Sequence, residues 1–94
     1  MISSGEVVRV LLVDDHAIFR AGLRALLGTV PGMTVVGEAN NGIEALELIG
    51  QGAPDLMLVD IEMPRMDGFD LTRNIRGNDS TQSVPIIMIT SRTA

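Results

Sequence analysis

One stretch near the start of the chain decides the fold, and it reads Val7-Val8-Arg9-Val10-Leu11-Leu12-Val13-Asp14-Asp15. Its aliphatic and β-branched residues predict a buried strand, and two acidic residues follow directly after it. Similar runs recur over residues 56–59, which precede Asp60, and over residues 85–89, which precede Thr90. Runs that are apolar at nearly every position are typical of parallel strands covered on both faces. The chain is therefore expected to build a parallel sheet.

Three stretches with helical spacing separate these runs. In the first, apolar residues recur at intervals of three and four, and the face that they mark consists of Phe19, Leu23, Leu26, Leu27 and Val30. The second begins at Asn41, an N-cap residue followed three positions later by a glutamate. The third begins at Asp67, and its expected inner side carries Phe69, Thr72 and Ile75.

A more polar run over residues 33–39 predicts one further strand, which we expect at an edge of the sheet. The resulting order is β-α-β-α-β-α-β. Right-handed crossovers between parallel strands put helices on both faces of the sheet, so the predicted fold class is α/β with a doubly wound parallel sheet. In that fold the carboxyl ends of the strands meet at one edge, and ligands bind there.

Composition and charge exclude several kinds of function. A length of 94 residues allows one domain, which we take as residues 1–94. The net charge of −5 and the sequence pI of about 4.5 argue against nucleic-acid binding by this segment. The chain has no cysteine, which excludes a thiolate metal site. It shows neither a signal peptide nor an apolar run of membrane-spanning length, so we expect no membrane partner and a cytoplasmic location.

Acidic and hydroxyl side chains stand at the ends of the predicted strands. Asp14 and Asp15 follow the first strand, Asp60 the third and Thr90 the fourth. Three carboxylates brought together repel one another, and a hard divalent cation such as Mg2+ would neutralise them, whereas oxygen donors alone disfavour Zn2+. A carboxylate can also attack phosphorus to form an aspartyl phosphate. Each acidic residue alone is more simply a cap or turn residue, and only their shared position at strand ends indicates a site.

Two stretches carry a resemblance to a known family. They are Val10-Leu11-Leu12-Val13-Asp14-Asp15 and Asp60-Ile61-Glu62-Met63-Pro64-Arg65-Met66-Asp67-Gly68, and the run from residue 85 to residue 91 adds to them. Together they resemble the response-regulator receiver domains of two-component signalling. The resemblance implies a flavodoxin-like fold. It also implies a phosphoacceptor function in which a sensor histidine kinase or a phosphotransfer protein is the partner.

The same resemblance assigns roles to individual residues. It implies that Asp60 accepts the phosphoryl group and that Asp15 binds Mg2+ directly. Asp14 would act largely through a metal-bound water, and Glu62 would offer its backbone carbonyl to the ion. Thr90 would be the hydroxyl that moves towards the phosphoryl group. A domain of this kind catalyses its own phosphorylation and dephosphorylation, so we do not expect a turnover enzyme.

The chain departs from the family pattern at its end. That pattern continues through a fourth helix, a fifth strand ending in lysine and a fifth helix, whereas this chain ends at Ala94. The resemblance therefore implies a truncated receiver that lacks the last helix-strand-helix portion. The fourth strand would then expose its edge and favour homo-oligomers. An alternative function is accordingly a truncated or engineered fragment that self-associates and has little or no phosphotransfer activity.

Four further alternatives remain open. Residues 14–39 are similar to receivers joined to helix-turn-helix regulators and residues 60–93 to chemotaxis-type receivers, so a chimera of two subtypes is one possible origin. Glu62 and Arg92 either pair across the mouth of the site or are two solvated charges. His16 is expected to be a surface or capping residue rather than a metal ligand. A Mg2+-dependent phosphatase with an aspartyl nucleophile is the rival enzyme, but it leaves the Asp14-Asp15 pair unexplained.

Overall fold

The computed structural model describes residues 6–61, 63, 68–79 and 81–89, and it alternates strands and helices in the predicted order. The elements are β1 (Val8–Val13), α1 (Ala17–Leu27), β2 (Met33–Ala39), α2 (Gly42–Ile49), β3 (Leu56–Asp60), α3 (Gly68–Arg76) and β4 (Ile86–Ile89). None of the helices in the described part of the chain has the length and apolar character needed to cross a membrane.

The four strands form one parallel sheet in the order β2-β1-β3-β4. The chain leaves β1 for β2 on one side and then returns to β3 on the other, so β1 and β3 flank the point at which the direction of winding reverses. Val13 of β1 is aligned with Val59 of β3, and Asp60 is aligned with Ile89 of β4. The carboxyl ends of β1 and β3 therefore lie side by side, where open α/β sheets bind ligands.

One face of the sheet carries the main hydrophobic core. Leu11, Val13, Met57 and Val59 point to this face and are at most 3% exposed, and α2 and α3 cover them. The helices contribute Ala45, Leu71 and Ile75, each at most 1% exposed. This packing helps to fix the position of β1 relative to β3, because side chains of both strands pack against the same two helices.

The opposite face is covered by α1. Leu12 points to this face and is fully buried, and its neighbour in β2 is Glu38. Arg20 and Arg24 of α1 both reach the Glu38 carboxylate, at 2.9 and 2.5 Å. Helices therefore lie on both faces of the sheet, and the predicted doubly wound α/β architecture is confirmed.

The inner side of α1 differs from the prediction. The helix ends at Leu27, Val30 lies in the turn beyond it, and Leu26 is 63% exposed. Arg20 is the cause, since its side chain points inward to Glu38 and to the Asp14 carbonyl oxygen. These contacts rotate the buried face towards Arg20 and leave Leu26 at its margin.

The inner side of α3 also differs. Phe69 was expected to point inward but is 58% exposed, whereas Leu71 is fully buried. The rotation of the helix follows from Gly68, whose backbone packs against the Asp60 carbonyl so closely that a Cβ would lie 2.6 Å from that oxygen. Phe69, one residue later, is thereby turned away from the sheet.

Two predictions about the other elements have different outcomes. The N-cap of α2 is confirmed, since Asn41 Oδ1 accepts a hydrogen bond from the Glu44 N–H at 2.9 Å, and Glu44 Oε1 accepts one from the Asn40 N–H at 2.9 Å. The expectation that the fourth strand is buried on both faces is wrong for the described residues, because Ile87 is 50% exposed.

Candidate metal centre

Asp14 is the first residue after β1, and the fold holds it firmly. It is 1% exposed, and its N–H donates to the Ala39 carbonyl of β2 at 3.0 Å. Its Oδ1 accepts a hydrogen bond from the His16 N–H at 2.7 Å, and its own carbonyl oxygen accepts one from Arg20 Nη1. Backbone and side chain are therefore fixed by β2, by the start of α1 and by an α1 arginine.

Asp60 ends β3 and is fully buried, while the Asp15 side chain is 28% exposed. Carboxylate oxygens of Asp14, Asp15 and Asp60 lie within 4.8 Å of one another, together with a ring nitrogen of His16. The structure therefore brings together the three aspartates that strand-end position singled out. It also adds a histidine to them.

His16 was expected to be a surface residue or a capping residue, and each expectation is met in part. It is the N-cap residue of α1, but its side chain makes no capping hydrogen bond and is 54% exposed. Its Nδ1 lies 3.1 Å from Asp15 Oδ1, 3.3 Å from Asp14 Oδ1 and 3.7 Å from Asp60 Oδ2. Sequence reasoning missed this orientation, although the position directly after the acidic pair was a signal for it.

The electrostatics of the cluster favour a bound cation. Burial raises the pKa of Asp14, and the nearby charge of Asp60 raises it further, against the lowering effect of the His16 N–H hydrogen bond. Within the described part of the chain, Asp14 Oδ2 is buried without a hydrogen-bond partner. A buried carboxylate oxygen with no donor, beside two more carboxylates, fits a hard divalent cation such as Mg2+. Asp14, Asp15 and Asp60 are the residues that could hold it.

A network of hydrogen bonds between α1 and β2 holds the main chain at Asp14 in place. Arg20 is only 14% exposed and donates to Glu38, to the Asp14 carbonyl and to Asn40 Oδ1, the last at 2.8 Å. Burial alone would raise the pKa of Glu38, but the hydrogen bonds from Arg24 and Arg20 outweigh it and lower that pKa. The planar guanidinium of Arg20 thus connects the ends of β1 and β2.

The remaining predicted site residues lie outside the described residues. Thr90 and Glu62 are among them, as are Arg92 and the Asp67 cap of α3. The closest described neighbours are Ile61, whose N–H donates to the Ile89 carbonyl at 2.9 Å, and Met63, which is 8% exposed. The hydrogen bond from Ile61 extends the pairing of β3 with β4 to the residue that follows Asp60.

Comparisons with known proteins agree with this geometry. A family model described as the response regulator receiver domain matches residues 10–94. A protein-glutamate methylesterase/protein-glutamine glutaminase of Pyrococcus abyssi is 42% identical over 90 residues, which are 96% of this chain and 24% of that protein. The response regulator UvrY of Escherichia coli is 44% identical over 87 residues, 93% of this chain and 39% of that protein. The chain therefore spans well under half the length of these curated relatives.

A solved structure supports the same relationship at the level of the fold. The response regulator domain of Thermotoga maritima CheB superimposes with a TM-score of 0.82 at 37% sequence identity. The match covers 95% of this chain and 64% of that one.

Proposed function

The chain belongs to the response regulator receiver domain family, and from this premise we propose that Asp60 accepts a phosphoryl group in a reaction that requires Mg2+. The observation that carries the proposal is the fully buried Asp60 carboxylate at the carboxyl end of β3, within 4.8 Å of the Asp14 and Asp15 carboxylates. A cluster of this kind has no role in folding that would offset its repulsion. It suits a site that receives a cation and a phosphoryl group.

In the proposed reaction one Asp60 carboxylate oxygen attacks the phosphorus of a phosphohistidine. The new P–O bond forms as the P–N bond breaks, and the departing imidazole nitrogen keeps the electron pair. Mg2+, when bound, supplies positive charge that offsets the repulsion between the carboxylates and the phosphoryl oxygens. Asp60 is positioned by its place in β3, and Asp14 by the hydrogen bonds of its main chain to Ala39 and Arg20.

The finer roles are part of the same proposal. Asp15, the more exposed of the pair, would bind the ion directly, and Asp14 would act largely through a bound water. Glu62 would contribute its backbone carbonyl and Thr90 its hydroxyl, on the strength of the sequence resemblance alone. Residues 1–94 would belong to a single receiver unit.

The partner that fits this chemistry is a sensor histidine kinase or a phosphotransfer protein, acting in the cytoplasm. Each transfer leaves one phosphoryl group on one Asp60, and hydrolysis returns the free carboxylate. The domain would therefore take part in signalling stoichiometrically rather than act as a turnover enzyme.

The test is labelling with acetyl phosphate, with the intact mass as the readout. We expect a Mg2+-dependent mass increase of one phosphoryl group that hydroxylamine removes, as an acyl phosphate requires. Asp60→Asn should abolish it. Asp55→Asn is the matched control, because Asp55 directly precedes the same strand, at the end away from Asp60, and pairs with Arg9. Labelling that persists in Asp60→Asn, or that is absent from the unmodified chain, would contradict the proposal.

We also propose self-association through β4, the alternative that the sequence raised. In the described part of the chain β4 pairs only with β3, and the Ile87 side chain is 50% exposed. An exposed apolar edge is a template for pairing with a second copy. Light scattering should show a dimer or larger species that Ile87→Lys dissociates, whereas Ile18→Lys, at a 90% exposed position of α1, should leave it intact. A monomer at all concentrations would contradict this proposal.

A further inference from the structure

The aspartate cluster contains one nitrogen donor, and its placement has no role in the reaction proposed above. His16 Nδ1 lies 3.1–3.7 Å from one oxygen of each of the three aspartates. His16 is also the sole histidine of the chain. The sequence predicted a site of oxygen donors alone, so this nitrogen changes the chemistry that the site offers.

The spacing matches that of ligands around one ion. Donors that each lie about 2.1 Å from an octahedral ion are about 3 Å from their nearest fellow donors. The separation of 3.1 Å from His16 Nδ1 to Oδ1 of Asp15, the residue proposed to bind the ion directly, is close to that value. An imidazole nitrogen and carboxylate oxygens at this spacing form a mixed donor set.

The backbone of His16 holds the ring in this position. Its N–H donates to Asp14 Oδ1 at 2.7 Å, and its carbonyl oxygen accepts the first helical hydrogen bond of α1, from the Arg20 N–H at 2.9 Å. With φ −97° and ψ 100° the residue has the extended conformation of an N-cap, yet its side chain does not cap the helix. The imidazole is turned towards the aspartates instead.

A second observation indicates that the cluster receives a ligand. Asp14 is 1% exposed, and among the described residues its Oδ2 has no hydrogen-bond partner. A buried carboxylate oxygen without a donor costs free energy that a bound cation would recover. The His16 nitrogen thus lies beside the Asp14 carboxylate that carries this oxygen.

We propose that His16 Nδ1 is a ligand of the metal site and shifts its preference from Mg2+ towards borderline ions such as Co2+ and Ni2+. Imidazole suits borderline ions such as Ni2+, whereas Mg2+ prefers oxygen donors. Mn2+ also prefers oxygen donors, and it serves below as a spectroscopic probe of the site. The inference rests on the proposed function in that it uses the same three aspartates. It goes further by assigning a role to a histidine that phosphoryl transfer does not need.

Electron spin echo measurements on the full chain with Mn2+ test the assignment. A directly bound imidazole adds 14N modulation to the Mn2+ signal, and a single histidine makes its origin unambiguous. We expect this modulation in the unmodified chain, its replacement by the 15N pattern when the chain is labelled with 15N-histidine, and its loss in His16→Ala. The isotope experiment needs no substitution, so it does not depend on the variant folding.

Calorimetry supplies the second readout. His16→Ala should weaken Co2+ binding by about tenfold or more and weaken Mg2+ binding by clearly less, since loss of a ligand costs most for the ion that prefers nitrogen. Equal losses for the two ions would overturn the inference.

The two proposals fail in different ways. Mn2+ binding that Asp15→Asn removes but that shows no 14N modulation would overturn the role of His16 and leave the phosphoacceptor site in place. Absence of any Mn2+ binding would also overturn it. Absence of Mg2+-dependent acetyl phosphate labelling in the unmodified chain would instead overturn the proposed function.

Discussion

Asp14 and Asp60 are both almost fully buried, and their carboxylates lie in one cluster with Asp15. Burying a charge costs free energy unless a partner compensates for it, and like charges at this distance add to the cost. The three aspartates therefore lower the stability of the metal-free fold. The ligand-binding end of the sheet is the place where such a cost is expected.

Asp14→Asn should therefore stabilise the metal-free chain at neutral pH. The folded state raises the pKa of Asp14 through burial and through Asp60, so the ionised form is disfavoured on folding and the penalty is present above that pKa. Asparagine keeps an acceptor for the His16 N–H and carries no charge. We expect a gain of about 1 kcal/mol in the free energy of unfolding, measured by urea titration, and a smaller stabilisation by Mg2+. A less stable variant would contradict the electrostatic account.

Gly68→Ala tests the close approach that orients α3. A Cβ there would lie 2.6 Å from the Asp60 carbonyl oxygen and 2.9 Å from Ile61 Cα, both of which are backbone atoms. We expect a loss of about 2 kcal/mol in urea unfolding and weaker Mg2+ binding, because the Asp60 backbone must shift.

Gly22→Ala is the matched control for that substitution. It lies within α1 with no heavy atom within 4 Å of its added Cβ, and should gain about 1 kcal/mol from helix propensity. Equal effects of the two substitutions would contradict the importance of the contact between Gly68 and Asp60.

Among the helices and strands, α1 and β2 are joined by ion pairs. No residue of α1 is fully buried, and its contact with β2 depends on Arg20 and Arg24 around Glu38. Because Arg20 also donates to the Asp14 carbonyl, this network connects the position of α1 to the geometry of the aspartate cluster.

Glu38→Gln should reduce the acid sensitivity of the fold. The pKa of Glu38 is lowered in the folded state because the Arg24 and Arg20 hydrogen bonds outweigh burial. The stabilisation is thus complete above the ordinary value of 4.5 and is lost as the pH falls through the lower folded pKa. We expect the variant to lose about 1 kcal/mol at pH 7 and progressively less at acidic pH, in unfolding measured across that range. Glu47→Gln, at an exposed position of α2, is the control and should change the free energy of unfolding at pH 7 by less than Glu38→Gln does.

Across the chain as a whole, the sequence was sufficient to predict the order of elements, the parallel sheet and the meeting of Asp14, Asp15 and Asp60. Aliphatic runs mark buried parallel strands, and parallel strands bring their carboxyl ends together. The rotation of α1 and α3 could not be predicted in the same way. It depends on the reach of Arg20 to β2 and on the packing of Gly68 against Asp60, which are contacts between distant parts of the chain.

The direction of the His16 side chain was missed for a related reason. Its ring is turned by the backbone conformation at the N-cap of α1, and a surface histidine and a site histidine have the same sequence pattern. Spacing therefore locates the site, whereas tertiary contacts decide which further side chains enter it.

The most direct test of the central claim, that the three aspartates form one metal-dependent phosphoacceptor site, is 19F NMR of the chain with beryllofluoride, a mimic of the aspartyl phosphate. A bound fluoride signal should form only when Mg2+ is also present. It should vanish in Asp60→Asn and persist in Asp55→Asn, which changes the residue directly before β3. A bound signal that is independent of Mg2+ or of Asp60, or no bound signal at saturating Mg2+, would contradict the claim.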